Sequence, residues 1–132
     1  MTRRLRTVCL ALAAALLAPL PALAEGDAVA GKRVFNKCRA CHEAETDRNK
    51  VGPSLLGVFG RTAGTLASFG ARYSPAMKEA GEGGLVWNEE NLEAYLRDPK
   101  SFIPGNRMAF AGLKDDQEIA DVIAYLKADP KP

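Results

Sequence analysis

The sequence predicts an all-α domain of four to five short helices joined by long loops, and three observations carry that expectation. Ile119, Val122, Ile123 and Leu126 fall at i, i+3, i+4 and i+7, one continuous apolar stripe of a helix. Capping residues stand at the head of each candidate helix: Asp27, Ser74, Asn88 and Asp115. Between residues 43 and 72 there is no sustained helical period. Gly52, Pro53, Gly57, Gly60, Gly64 and Gly70 make that stretch a long loop wrapped against something, and strand signals are few.

The chain begins with a segment of a different kind. Arg3, Arg4 and Arg6 precede an apolar run from Val8 to Ala18, and Ala22-Leu23-Ala24 is a small-x-small cleavage pattern. The run is shorter than the ~20 residues needed to span a bilayer. The reading is a signal peptide over residues 1–24, cleaved after Ala24, with an uncleaved anchor as the alternative. Residues 25–132 then form a single domain. Removing three arginines from 18 basic residues leaves 15 against 16 acidic ones, so the mature domain is near neutral. Its charges are spread and matched, which argues against nucleic acid as a partner.

Within that domain Asp27 is expected to cap a first helix reaching about Cys41, with Val34 and Phe35 on its apolar face. Ser74-Pro75 reads as the cap and first residue of a short helix to about Ala80, broken by Gly81, Gly83 and Gly84. Asn88 caps a helix carrying Glu89 and Glu90 in its first turn and stopping at Asp98, before Pro99. A loop from Pro99 to Leu113 leads to the last helix, opened by Asp115 with Glu118 three residues on.

The chemistry lies in residues 38–42, Cys-Arg-Ala-Cys-His, an instance of the C-x-x-C-H haem-attachment signature. One helical turn puts Cys38 and Cys41 on the same side, where their thiols reach the two vinyl groups on one porphyrin edge. His42 follows directly, so its imidazole is placed to be the proximal iron ligand. A structural zinc site would need about four ligands, and the chain has one His and no third mature Cys. A thioredoxin-like pair would need alternating strands and helices, and a plain disulfide leaves His42 unexplained. With a single histidine, the sixth iron ligand is a methionine, a lysine or an open site. Met77 and Met108 are the mature methionines. Met108 follows a Pro-Gly turn in a short apolar loop able to lean over a haem face, whereas Met77 sits at a helix start where packing is the ordinary role.

In its ordered run of motifs the sequence resembles the class I c-type cytochromes, of the mitochondrial type and the bacterial cytochrome c-two type. The likeness covers nearly all of residues 27–128: Gly31 and Phe35, the 38–42 motif, Val51-Gly52-Pro53, Gly60-Arg61-Thr62-Ala63-Gly64, Tyr73-Ser74 and Trp87. It continues through Tyr95-Leu96, Pro99-Lys100, Ile103-Pro104-Gly105, Met108, Phe110-Ala111-Gly112 and Ile123-Ala124-Tyr125-Leu126. The resemblance implies a cytochrome c fold wrapped around one haem c, bound covalently through Cys38 and Cys41, with His42 and Met108 as axial ligands. It implies that the Pro53 carbonyl accepts from the His42 ring, that Arg61, Tyr73 and Trp87 hydrogen-bond or neutralise the haem propionates, and that Tyr95 sits near the Met108 sulfur. Gly31, Phe35 and Tyr125 would join the first and last helices. Asn106 stands where the mitochondrial pattern has a threonine that helps hold a propionate, and is expected still to donate. Met77 replaces a common asparagine, and Ser101 and Phe102 replace a lysine and a tyrosine.

The function so implied is that of a soluble, periplasmic, monomeric one-electron carrier and not an enzyme. Lys37, Arg39, Lys50, Lys100, Arg107 and Lys114 would ring the exposed haem edge and steer it to a redox protein. A membrane oxidase, a bc-type complex, a photosynthetic reaction centre and a periplasmic dehydrogenase are the partner classes. The rival readings are a haem enzyme or sensor with an open sixth position and a fixed subunit of a larger complex. With so much loop, the apo chain is expected to be poorly folded.

Overall fold

The computed structural model describes residues 25–132, so the signal segment and its cleavage motif lie outside the described residues. Among the described residues five α-helices follow in order: α1 (Ala28–Val34), α2 (Pro75–Glu82), α3 (Glu89–Arg97), α4 (Pro99–Phe102) and α5 (Asp116–Lys127). Among the described residues the only β-type pairing is an isolated antiparallel bridge between Thr62 and Val86.

The expected caps are made. Asp27 accepts from the amides of Val29 and Ala30, Ser74 from Met77, Asn88 from Asn91 and Asp115 from Glu118, each satisfying donors that a helix start leaves open. α1 is shorter than the sequence predicts. It ends at Val34, and the chain tightens into a 3-10 turn at Phe35–Lys37 before the cysteines. α2 runs past Gly81 to Glu82. Gly81 is there for contact, since a Cβ on it would stand 1.9 Å from the Ala63 carbonyl oxygen. The stretch read as a continuous loop from Pro99 contains α4, whose start is held by Asp98 accepting from the Ser101 amide at 3.1 Å.

α1 and α5 cross in close contact. A Cβ on Gly31 would meet the Asp121 carbonyl oxygen at 1.9 Å, and the Phe35 and Tyr125 rings lie 5.4 Å apart. Asp121 ties the crossing further by accepting the Asp27 amide at 2.8 Å. On α5, Ile119, Val122, Ile123, Tyr125 and Leu126 are buried, so the sequence stripe is the core face. Val34, Phe35, Ala44, Val58, Ala63, Trp87, Leu92, Tyr95, Ile103 and Leu113 complete one core. Cys38, Met77, Phe102, Met108 and Phe110 pack against it only partly buried. The helices thus clamp the two loops that carry the chemistry, 38–63 and 103–113.

Candidate haem site

The first half of the site is built around the cysteine turn. The amides of Cys41 and His42 both donate to the Cys38 carbonyl at 3.0 Å, closing one helical turn and setting the thiols three residues apart on it. Both thiols are free, Cys38 half-buried and Cys41 exposed. Burial pushes the Cys38 thiol up to about 11, so it stays protonated at neutral pH in the bare chain. Lys50 donates to the carbonyls of Arg39 and His42, closing the turn from below.

His42 is held from two sides. Its Nδ1 donates to the Pro53 carbonyl at 2.8 Å, which leaves Nε2 as the nitrogen for a metal. Burial pulls the imidazole below its ordinary titration range, favouring the neutral form that coordinates. Gly52 lies against the ring, and a Cβ there would stand 2.3 Å from Cε1. The Gly52 amide also donates to the Cys41 carbonyl at 2.8 Å, so cysteine turn and ring shelf form one piece.

The second half is the Met108 loop. Pro104 and Gly105 form a type II turn: the Asn106 amide donates to the Ile103 carbonyl at 3.1 Å, and Gly105 has φ +87°, open to glycine at little cost. The Tyr95 hydroxyl, brought from α3, donates to the Met108 sulfur at 3.8 Å. Tyr95 is buried between Trp87 (4.9 Å) and Phe102 (6.2 Å), and burial pushes its phenol up to about 12, so it remains a donor. Asn106 departs from expectation. Both Nδ2 hydrogens go to protein carbonyls, of Pro99 and Ile103, each at 2.8 Å, leaving none for a propionate.

Arg61, Tyr73 and Trp87 are brought together. The Trp87 amide donates to the Arg61 carbonyl at 2.9 Å, and the Arg61 guanidinium reaches Tyr73. Arg61 also donates to the carbonyls of Ser54 at 2.9 Å and Leu56 at 2.5 Å, so it braces the loop beside His42. Sequence reasoning missed the Gly52 shelf and the carbonyl bonds of Lys50 and Asn106, because such contacts depend on how irregular loop backbone folds back on itself, which spacing does not reveal.

The donor set fits haem c: two free thiols one turn apart, an imidazole oriented by a carbonyl, and a thioether fixed by a buried hydroxyl. It does not fit structural zinc, since among the described residues no three His, Cys, Asp or Glu side chains group to hold a metal. The cytochrome c family model matches residues 28–128. The chain belongs to the cytochrome c family. It is 51% identical over 104 residues to cytochrome c2 of Afifella marina, a match spanning 77% of this chain and 82% of the relative. It is 53% identical over 94 residues to cytochrome c2 iso-2 of Magnetospirillum fulvum, spanning 71% and 93%. The structure of cytochrome c2 from Rhodospirillum centenum superposes with a TM-score of 0.73 at 43% identity, over 81% of this chain and all of that one. This cytochrome c is therefore of the c2 type, a one-electron carrier that holds haem c through Cys38 and Cys41.

Proposed function

We propose that this cytochrome c is a soluble periplasmic shuttle, released by cleavage after Ala24, whose iron is closed on both faces by His42 and Met108. The observation that carries the ligand pair is the Tyr95 hydroxyl aimed at the Met108 sulfur from 3.8 Å. Among the described residues no hydroxyl donates to the Met77 sulfur, and its amide serves the Ser74 cap instead.

Bound haem c supplies a one-electron iron couple. The chain's own work is to hold two ligands unmoved while that couple changes charge. The Pro53 carbonyl fixes the imidazole, Tyr95 fixes the thioether, and the two cysteine links keep the group in place. The surrounding apolar core disfavours added positive charge and so raises the potential, as does thioether ligation.

Electrons leave at the edge beside Cys38, toward an acidic patch on a redox protein; the candidate classes are a membrane oxidase, a bc-type complex, a reaction centre and a periplasmic dehydrogenase. Of the six basic residues assigned to that edge, Lys37 is ion-paired, with Glu118 at 2.6 Å. Arg39, Lys50, Arg107 and Lys114 donate to neutral oxygens and keep their charge for steering.

The test is the optical spectrum of the purified ferric holoprotein. A weak far-red band from sulfur bound to ferric iron, persisting with added cyanide or imidazole at modest concentration, is the expected result. Its absence at neutral pH would reject the closed His/Met site.

A further inference from the structure

We propose that Asn106 is a positioning residue for Met108: its amide clamps the ligand loop shut, and so sets how often the sulfur leaves the iron. The inference rests on the reading of Met108 as an axial ligand and goes beyond it.

Asn106 is buried, with 9% of its surface exposed, in a loop otherwise open to solvent on many sides. Its side chain makes three hydrogen bonds. Nδ2 donates to the carbonyls of Pro99 and Ile103, each at 2.8 Å, and Oδ1 accepts from the Met108 amide at 2.9 Å. An asparagine amide offers two donors and one oxygen, so both donors and the oxygen are engaged.

The three partners lie on separate parts of the loop. Pro99 is the buried first residue of α4, Ile103 caps the end of that helix, and Met108 lies beyond the Pro-Gly turn. The clamp therefore ties the ligand's backbone to a helix start, while Tyr95 holds the sulfur at the other end of the same side chain. For Met108 to swing out, its amide must leave Oδ1 or carry the whole amide group with it, breaking its bonds to the Pro99 and Ile103 carbonyls. Both carbonyls keep a backbone partner, the amides of Ile103 and Asn106, so opening costs the side-chain hydrogen bonds themselves, and the open loop is rare on that account.

A serine at 106 would keep an acceptor for the Met108 amide, as short hydroxyl side chains do in turns. It could not reach both carbonyls, and its clamp would be partial. Alanine would remove all three bonds.

The experiment compares ferric holoproteins of the wild type, Asn106→Ala, Asn106→Ser and Val122→Ala by imidazole titration and far-red absorbance. Val122 is a fully buried core residue of α5, away from the Met loop in sequence. Its substitution reports what general destabilisation does to the same readout. Asn106→Ala is expected to bind imidazole about tenfold more tightly or better than wild type. Asn106→Ser should lie between them, and Val122→Ala should lower the melting temperature with imidazole affinity near wild type. If Asn106→Ala stays within twofold of wild type, or if Val122→Ala shows the same gain, the clamp is rejected and the Met108 ligand stands. A wild type lacking the far-red band would overturn the ligand reading, and the clamp with it.

Discussion

Gly52 serves as the shelf for His42: the imidazole lies so close to its backbone that a Cβ would stand 2.3 Å from Cε1. No rotation of a methyl group relieves that contact, so Gly52→Ala must tilt the ring away and strain its bond to the Pro53 carbonyl. Overpacking of this kind costs about 1–3 kcal/mol. Guanidinium unfolding of the holoprotein should show that loss, with a shifted reduction potential. An unchanged potential would mean the ring is not set by this shelf.

Tyr95→Phe keeps the ring between Trp87 and Phe102 but removes the donor to the Met108 sulfur. Without that donor the thioether gives more electron density to iron and favours the ferric state, so the potential should fall. A hydrogen bond worth ~1.5 kcal/mol, lost in one oxidation state only, corresponds to about 60 mV for one electron. Redox titration should find a fall no larger than that. A rise would reverse the assigned role of the hydroxyl.

The same phenol carries a pH dependence. Burial raises Tyr95 from 10.0 to about 12, so the folded protein holds its proton more tightly than the unfolded chain does. The resulting stability is fully present below pH ~10 and is lost as pH rises through about 12. Wild type should therefore lose stability over that window, and Tyr95→Phe should lose less. Parallel base titrations of the two, followed by helical circular dichroism, measure the difference.

Glu118→Gln releases Lys37 from its 2.6 Å ion pair, whose members are 48% and 35% exposed at the lysine and the glutamate. An exposed pair contributes about 0–1 kcal/mol, so stability should barely change. The freed charge should speed reduction by an acidic redox partner at low salt, and the gain should vanish as salt rises. A gain that persists at high salt would point to a contact effect and not steering.

Gly31→Ala tests the crossing of α1 with α5. A Cβ there meets the Asp121 carbonyl oxygen at 1.9 Å, and backbone cannot yield as a side-chain tip does. The holoprotein should be destabilised by about 1–3 kcal/mol. Its far-red band at low temperature should remain, since the crossing touches neither ligand. Loss of the band in the folded variant would tie the crossing to the ligand loop.

Much of the molecule could be read from local chemistry. Cys38, Cys41 and His42 identify a haem attachment site because thioether spacing is a property of five consecutive residues. The caps at Asp27, Ser74, Asn88 and Asp115 and the stripe on α5 are likewise local, and the structure contains each of them. Where local reasoning failed, a backbone carbonyl brought close by the fold was responsible. Gly81 has the form of a helix breaker but lies within α2, because the Ala63 carbonyl approaches it too closely for any side chain. Asn106 has the form of a propionate donor, but the carbonyls of Pro99 and Ile103 take both its hydrogens.

The sequence by itself therefore determined the cofactor's attachment, the helical class and the order of every helix but α4. Those properties follow from covalent spacing and from residues within one or two turns of each other. Pro53 at His42 and Tyr95 at Met108 were implied by the resemblance, but only the tertiary structure decided that Gly52 lies against the His42 ring and that Asn106 holds the Met108 amide. Hydrogen bonds and steric contacts are directional and act over a few ångströms. Which groups meet at that range depends on how loops far apart in the chain are pressed together by one shared core.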